Sequence, residues 1–153
     1  MIRLAAALVL LLLAVAASAG PKQNHPNFVG IPNLIQNGSF ESGQVANPCF
    51  IFDIPAGSNL ITGWTVSRGT IDWDGPPPCS LQAPDCGHSL DLVGQIGIGG
   101  IQQTFPTVPG NCYKIAFDLA GNPGNPPTIK PLAVNIDGVN VANFQFSIAG
   151  RVR

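Results

Sequence analysis

Tyr113-Lys114-Ile115-Ala116-Phe117-Asp118-Leu119-Ala120 (YKIAFDLA) sets the period of this sequence. Successive side chains of a strand point to opposite faces. Tyr113, Ile115, Phe117 and Leu119 therefore share one face, and Lys114, Ala116 and Asp118 share the other. Leu132, Val134 and Ile136 repeat the pattern downstream. Asp137-Gly138 supplies a two-residue turn and Val139 and Val141 resume the alternation, which predicts a hairpin. Upstream, short runs of branched and aromatic residues are separated by Gly, Pro, Asn and Asp, the pattern of strands and turns. The strands predicted on this basis are 34–37, 50–54, 64–67, 70–73, 89–93, 101–105, 112–120, 130–136 and 139–146. No window beyond residue 19 sustains a helical period. The expected fold is all-β, a β-sandwich or jelly roll. The chain stops at SIAGRVR soon after the hairpin, so an unpaired sheet edge is expected there.

Composition narrows the function. Residues 1–19 are almost wholly apolar, and the remainder is roughly two-fifths apolar, ordinary for a soluble domain. With 18 Gly, 15 Pro and 10% charged residues, a coiled coil, a helix bundle and a charged disordered tail are excluded. A net charge of −1 and the lack of a basic patch exclude nucleic acid as a partner. One domain is expected at this length.

Arg3 precedes an apolar run from Leu4 to Ala17, which ends in Ala17-Ser18-Ala19. This is the pattern of a secretory signal peptide over residues 1–19, with cleavage after Ala19. As a helix the run would span about 21 Å, short of the roughly 30 Å hydrocarbon core, so it is not read as a membrane anchor. No second apolar stretch follows, and the processed chain is expected to be exported without a membrane span. Residues 20–32 read as a flexible lead-in to a domain over 33–153. Export favours disulfides among the four cysteines. Cys79 and Cys86 bracket a Pro-rich loop that a local bridge would restrain, which leaves Cys49 with Cys112. No CxxC occurs, so zinc is not expected.

Residues with catalytic chemistry are few. His88, Ser89 and Asp91 lie close in sequence, but on a strand His88 points away from the other two, which opposes a hydrolytic triad. Asp72 and Asp74 share a strand face, yet Asp74-Gly75 is a turn signal, and that reading is preferred to a glycosidase pair. Glu41, the only glutamate, is a candidate ligand for a structural calcium together with backbone carbonyls. Asn37-Gly38-Ser39 fits a glycosylation sequon and, more simply, a turn. The Gly94–Gly100 cluster lacks the spacing and the following helix of a phosphate loop. Trp64, Trp73 and Tyr113 offer flat faces for a sugar ring, although a Trp within an alternating run more often belongs to the core.

Five blocks in order, NLIQNGSFE, GWTVSRGTIDW, GHSLDLVG, GGIQQTFPTVPGNCYKIAFDLAGNP and IKPLAVNIDG, resemble the choice-of-anchor C family. These are secreted bacterial proteins related to the plant cell-wall proteins of the domain-of-unknown-function 642 class. The resemblance covers roughly residues 33–140. It implies a galactose-binding-like jelly-roll β-sandwich and an exported, non-catalytic protein associated with cell wall or matrix. It further implies polysaccharide as the partner, or a cell-wall protein such as a pectin methylesterase. Trp64 and Trp73, for their planar faces, and Gln102, Gln103 and Asn122, by position only, are the carbohydrate-binding candidates. The alternative is a structural or adhesive module that contacts protein and has no sugar site. Relatives continue past residue 150 with strands that pair with the first ones and help hold calcium, so the resemblance also implies a domain incomplete at its C-terminus. The PPPCSLQAPDC insert departs from the family pattern.

Overall fold

The computed structural model describes the backbone of residues 5–6 and 11–15, and residues 33–45, 49–76, 87–109, 111–119 and 129–147. The fold is all-β and of β-sandwich type, with no helix among the described residues. In chain order the strands are β1 (Ala5–Ala6), β2 (Leu11–Val15), β3 (Phe50–Pro55), β4 (Thr65–Arg68), β5 (Thr70–Asp74), β6 (Ser89–Asp91), β7 (Val93–Gly94), β8 (Gly97–Ile98), β9 (Gly100–Gln102), β10 (Cys112–Ala116), β11 (Ile129–Ile136) and β12 (Val139–Ser147). A four-stranded sheet runs β1-β6-β5-β3, and the pairs β2–β10, β4–β9, β7–β8 and β11–β12 make up the rest. All of these pairings are antiparallel.

β5 is the centre of the four-stranded sheet and every one of its residues is buried. The strand expected over 70–73 forms and runs one residue further, so Asp72 and Asp74 are both strand residues, and the chain leaves the sheet at Gly75 of the expected Asp74-Gly75 turn, whose N–H donates to the Cys49 carbonyl over 2.7 Å. β3 bulges between Ile51 and Ile54. Asp53 sits in that bulge at φ 54°, and its N–H donates to Asp72 Oδ1 over 2.8 Å. A bulge leaves a backbone donor without a ladder partner, and the Asp72 carboxylate supplies one from the neighbouring strand.

The strand expected over 112–120 ends at Ala116 among the described residues, but the alternation of exposure continues to Leu119. Tyr113, Ile115, Phe117 and Leu119 pack against the main core, while Lys114 and Asp118 are exposed. The hairpin turn at Asp137-Gly138 also forms, with both residues at positive φ. The expected strand over 34–37 does not form, because residues 36–39 make a turn. Parts of the apolar N-terminal segment occupy sheet edges: β1 pairs with β6, and β2 pairs with β10 in the register Cys112↔Val15. Among the described residues β2 is the sole partner of β10.

The cysteines depart from expectation. Cys49 is disulfide-bonded, whereas Cys112 is a free, exposed thiol, so the expected Cys49–Cys112 bridge is not formed. Cys112 lies on a strand whose outward positions face solvent, and its thiol follows that face. The partner of Cys49 lies outside the described residues, as do Cys79, Cys86 and the bridge expected between those two.

Candidate functional site

Among the described residues a dense polar organisation is built on the turn Asn37-Gly38-Ser39-Phe40. Asn37 adopts φ 51° and Phe40 φ 63°, both in the left-handed region. Asn tolerates that region, whereas a bulky Phe enters it only when its surroundings over-determine the conformation. Those surroundings are on hand. The Phe40 ring is buried and lies 5.4 Å from the Trp64 ring. The Phe40 carbonyl accepts the Trp73 indole N–H over 3.0 Å, and the Asn37 carbonyl accepts the Trp64 indole N–H over 3.0 Å. The Asn37 side chain bridges two loops, donating to the Ser42 and Thr62 carbonyls and accepting from Ser42 N–H. Its amide nitrogen is thus fully engaged, which favours the turn reading of the sequon.

Glu41 leaves this turn towards β6. Its carboxylate accepts the His88 backbone N–H over 2.5 Å and lies 2.7 Å from His88 Nδ1. An ionised carboxylate can only accept, so Nδ1 carries the hydrogen in this arrangement. The imidazole is buried against the Trp73 ring, with centroids 5.2 Å apart, and its Nε2 has no hydrogen-bond partner among the described residues. Gly87 permits the approach, since a Cβ there would meet the Glu41 carboxylate. Gly43 likewise leaves room for the Trp73 ring and the Leu60 carbonyl. His88 therefore works with Glu41 across the fold, and Asp91 Oδ1 accepts the Val93 N–H over 2.9 Å within its own strand segment.

This organisation decides where the sequence candidates fall. Trp64 is 4% exposed and Trp73 0%, with both indole N–H groups bonded, so neither offers a face to a sugar. Gln103 is likewise structural. Its amide accepts from Gln36 N–H and donates to the Gln36 and Gly63 carbonyls, as a strand backbone would. The Tyr113 hydroxyl is tied to Val108 N–H over 2.6 Å. Gln102, on β9, keeps an exposed side chain. Asn122 lies outside the described residues. Both Glu41 carboxylate oxygens are engaged by His88, and among the described residues no three His, Cys, Asp or Glu side chains are grouped to hold a metal.

The aromatic surface lies elsewhere, on β3. Phe50 and Phe52, 39% and 50% exposed, stack with centroids 5.4 Å apart and planes 7° apart. Two residues apart on an edge strand, they share a face, whereas the sequence pattern of FIFDI predicts a strand and no site. The alternation Phe-Ile-Phe was the available signal. Next in sequence, Asp53 accepts the Gln95 N–H over 2.6 Å, which ties the β7–β8 turn and its exposed Ile96 to this strand.

Comparison with known proteins places these features in a family. Halomucin from Haloquadratum walsbyi (strain DSM 16790 / HBSQ001) is 36% identical over 95 residues, which is 60% of this chain and 1% of that protein. The chain thus spans about 1% of the length of that relative. No solved structure matches it. Residues 33–151 match the family described as "Protein of unknown function (DUF642)", a span that takes in the Asn37–Glu41 turn, both tryptophans, His88 and the β11–β12 hairpin, and the chain belongs to that family.

Proposed function

We propose that this chain is a non-catalytic module, exported by its leader, that binds polysaccharide or another component of a cell wall or extracellular matrix. On this reading the sandwich is a galactose-binding-like jelly roll of the choice-of-anchor C type and needs no metal or cofactor. The observation that carries the proposal is the exposed Phe50–Phe52 stack. Parallel rings on a strand make a rigid apolar platform of the kind that receives the flat face of a sugar. The contrast with the interior supports a binding role, because Trp64, Trp73, Glu41 and His88 are occupied in holding loops together.

The test is retention of the folded protein on insoluble cellulose, pectin and other wall polysaccharides, for the wild type and a Phe50→Ala/Phe52→Ala variant. Wild-type retention that falls about tenfold in the variant is expected, the equivalent of about 1.4 kcal/mol and modest for two aromatic contacts. Uniform failure of the folded wild type to bind any polysaccharide would sink the proposal. Chelator should leave the melting temperature unchanged; a fall would reinstate a structural calcium. A second reading, an adhesive module that contacts protein, is favoured by Ile96, which is 80% exposed at the tip of the β7–β8 hairpin. Under that reading the folded wild type is not retained on polysaccharide but captures a wall protein, and Ile96→Ser abolishes that capture.

A further inference from the structure

The β11–β12 hairpin has two unlike faces. Lys130, Leu132 and Val134 lie on one, opposite Phe146, Phe144 and Ala142, and this face meets the rest of the fold through Leu132 and the Phe117–Phe144 contact. The other carries Pro131 opposite Gln145, Ala133 opposite Asn143, and Asn135 opposite Asn140, all six exposed. A register shift between Val134 and Asn135 brings Asn140 and Asn143 onto this same outer face. The Asn140 amide is a hub there. Its Nδ2 lies 3.1 Å from Asn135 Oδ1 and 3.3 Å from Asn143 Oδ1, and Asn143 Nδ2 donates to Asn140 Oδ1 over 2.9 Å.

Asn140 Nδ2 also lies 3.3 Å from the Ala142 carbonyl and 3.4 Å from the Val134 carbonyl, so backbone carbonyls anchor the hub as they anchor Asn37 and Gln103. On the hairpin the hub orients its neighbours and leaves capacity over. Asn135 Nδ2 and the Gln145 amide make no hydrogen bond among the described residues, and Asn143 retains a second N–H. The six outer side chains include no ionisable group.

We infer that the outer face of β11–β12 is a hydrogen-bonding site for an uncharged polysaccharide, with Asn135, Asn143 and Gln145 contacting sugar hydroxyls and Asn140 positioning them. The inference rests on the polysaccharide reading proposed above and adds a site and a ligand class to it. Each amide offers a donor and an acceptor side by side, as a sugar hydroxyl does. Alternate residues on a strand stand about 7 Å apart, so Asn143 and Gln145 form a row that an extended chain can follow. A face without charge has nothing to pair with a carboxylate or sulfate, which selects a neutral polymer. Internal hydrogen bonds fix the rotamers in advance and reduce the ordering cost of binding.

The experiment is affinity electrophoresis of the full chain in gels containing hydroxyethylcellulose or polygalacturonate. The variants are Asn135→Ala/Asn143→Ala and, as a change of charge at constant size, Asn143→Asp. Tryptophan fluorescence of the buried Trp64 and Trp73 reports that each variant is folded. Retardation by hydroxyethylcellulose is expected, about tenfold weaker in both variants, since each forfeits hydrogen bonds to the polymer. Wild-type retardation left intact by both variants would overturn this face and leave the polysaccharide reading standing, as would preference for polygalacturonate. A wild type retarded by neither gel overturns both. Self-association in sedimentation that the double variant abolishes would make a second copy the occupant and overturn the sugar site.

Discussion

Glu41 shows how much one side chain can connect. It reaches from the Asn37–Phe40 turn to a residue 47 positions later and satisfies two donors of His88. Replacing Glu41 by Ala leaves a buried backbone N–H and a buried ring nitrogen unpaired, at about 1–3 kcal/mol. Glu41→Gln keeps one acceptor and should lose less than Glu41→Ala. Urea unfolding followed by tryptophan fluorescence measures both, with Trp73 against the His88 ring as a local reporter. Equal stability of the wild type and Glu41→Ala would show that the pair does not contribute to folding.

At the scale of elements, amides take the place of ladder hydrogen bonds. Gln103 follows directly on β9 and joins residues 36 and 63, which lie in two separate loops, through three bonds. Gln103→Glu removes both donors and Gln103→Ala removes all three bonds, so we expect losses of about 1–2 and 2–3 kcal/mol respectively. Hydrogen exchange gives a residue-resolved check. The Gln36 amide should lose protection in Gln103→Ala and keep much of it in Gln103→Glu, where a carboxylate still accepts. Unchanged exchange at Gln36 would exclude the clamp. Beyond residue 49 most of the strands were legible in the sequence. Alternation from Tyr113 to Leu119 and the Asp137-Gly138 turn act through local stereochemistry, which needs no tertiary partner. The turn expected at Asn37-Gly38-Ser39 forms, whereas the strand expected over 34–37 does not: LIQN carries strand-forming residues, and what outweighs them is the burial of Phe40, its carbonyl's bond to Trp73 and the bond of the Asn37 carbonyl to Trp64.

At the scale of the whole molecule, cysteine chemistry separates two environments. Cys49 is bonded and Cys112 is an exposed thiol on β10. Alkylation of the native protein without reductant should label Cys112 completely and leave Cys49 unlabelled, with Cys49 appearing only after reduction. Peptide mapping by mass spectrometry reads the outcome, and an unlabelled Cys112 would refute its assignment as free. Loop spacing had favoured a bridge between these two residues. Spacing limits which pairs can close, but the path of β3 and β10 decides which sulfurs meet.

The same division runs through the candidate site. Period, turn residues and composition were enough to assign an all-β domain, since those signals are local and additive along the chain. Which side chains reach solvent was readable only in part. Trp64 and Trp73, chosen for their flat rings, lie in the core because a turn more than twenty residues upstream offers carbonyls to their indole nitrogens. Phe50, Phe52 and the Asn135–Asn140–Asn143 hub are exposed because a bulged edge strand and a two-sided hairpin present them. Exposure depends on what the rest of the chain leaves uncovered, and only the packed molecule decides that.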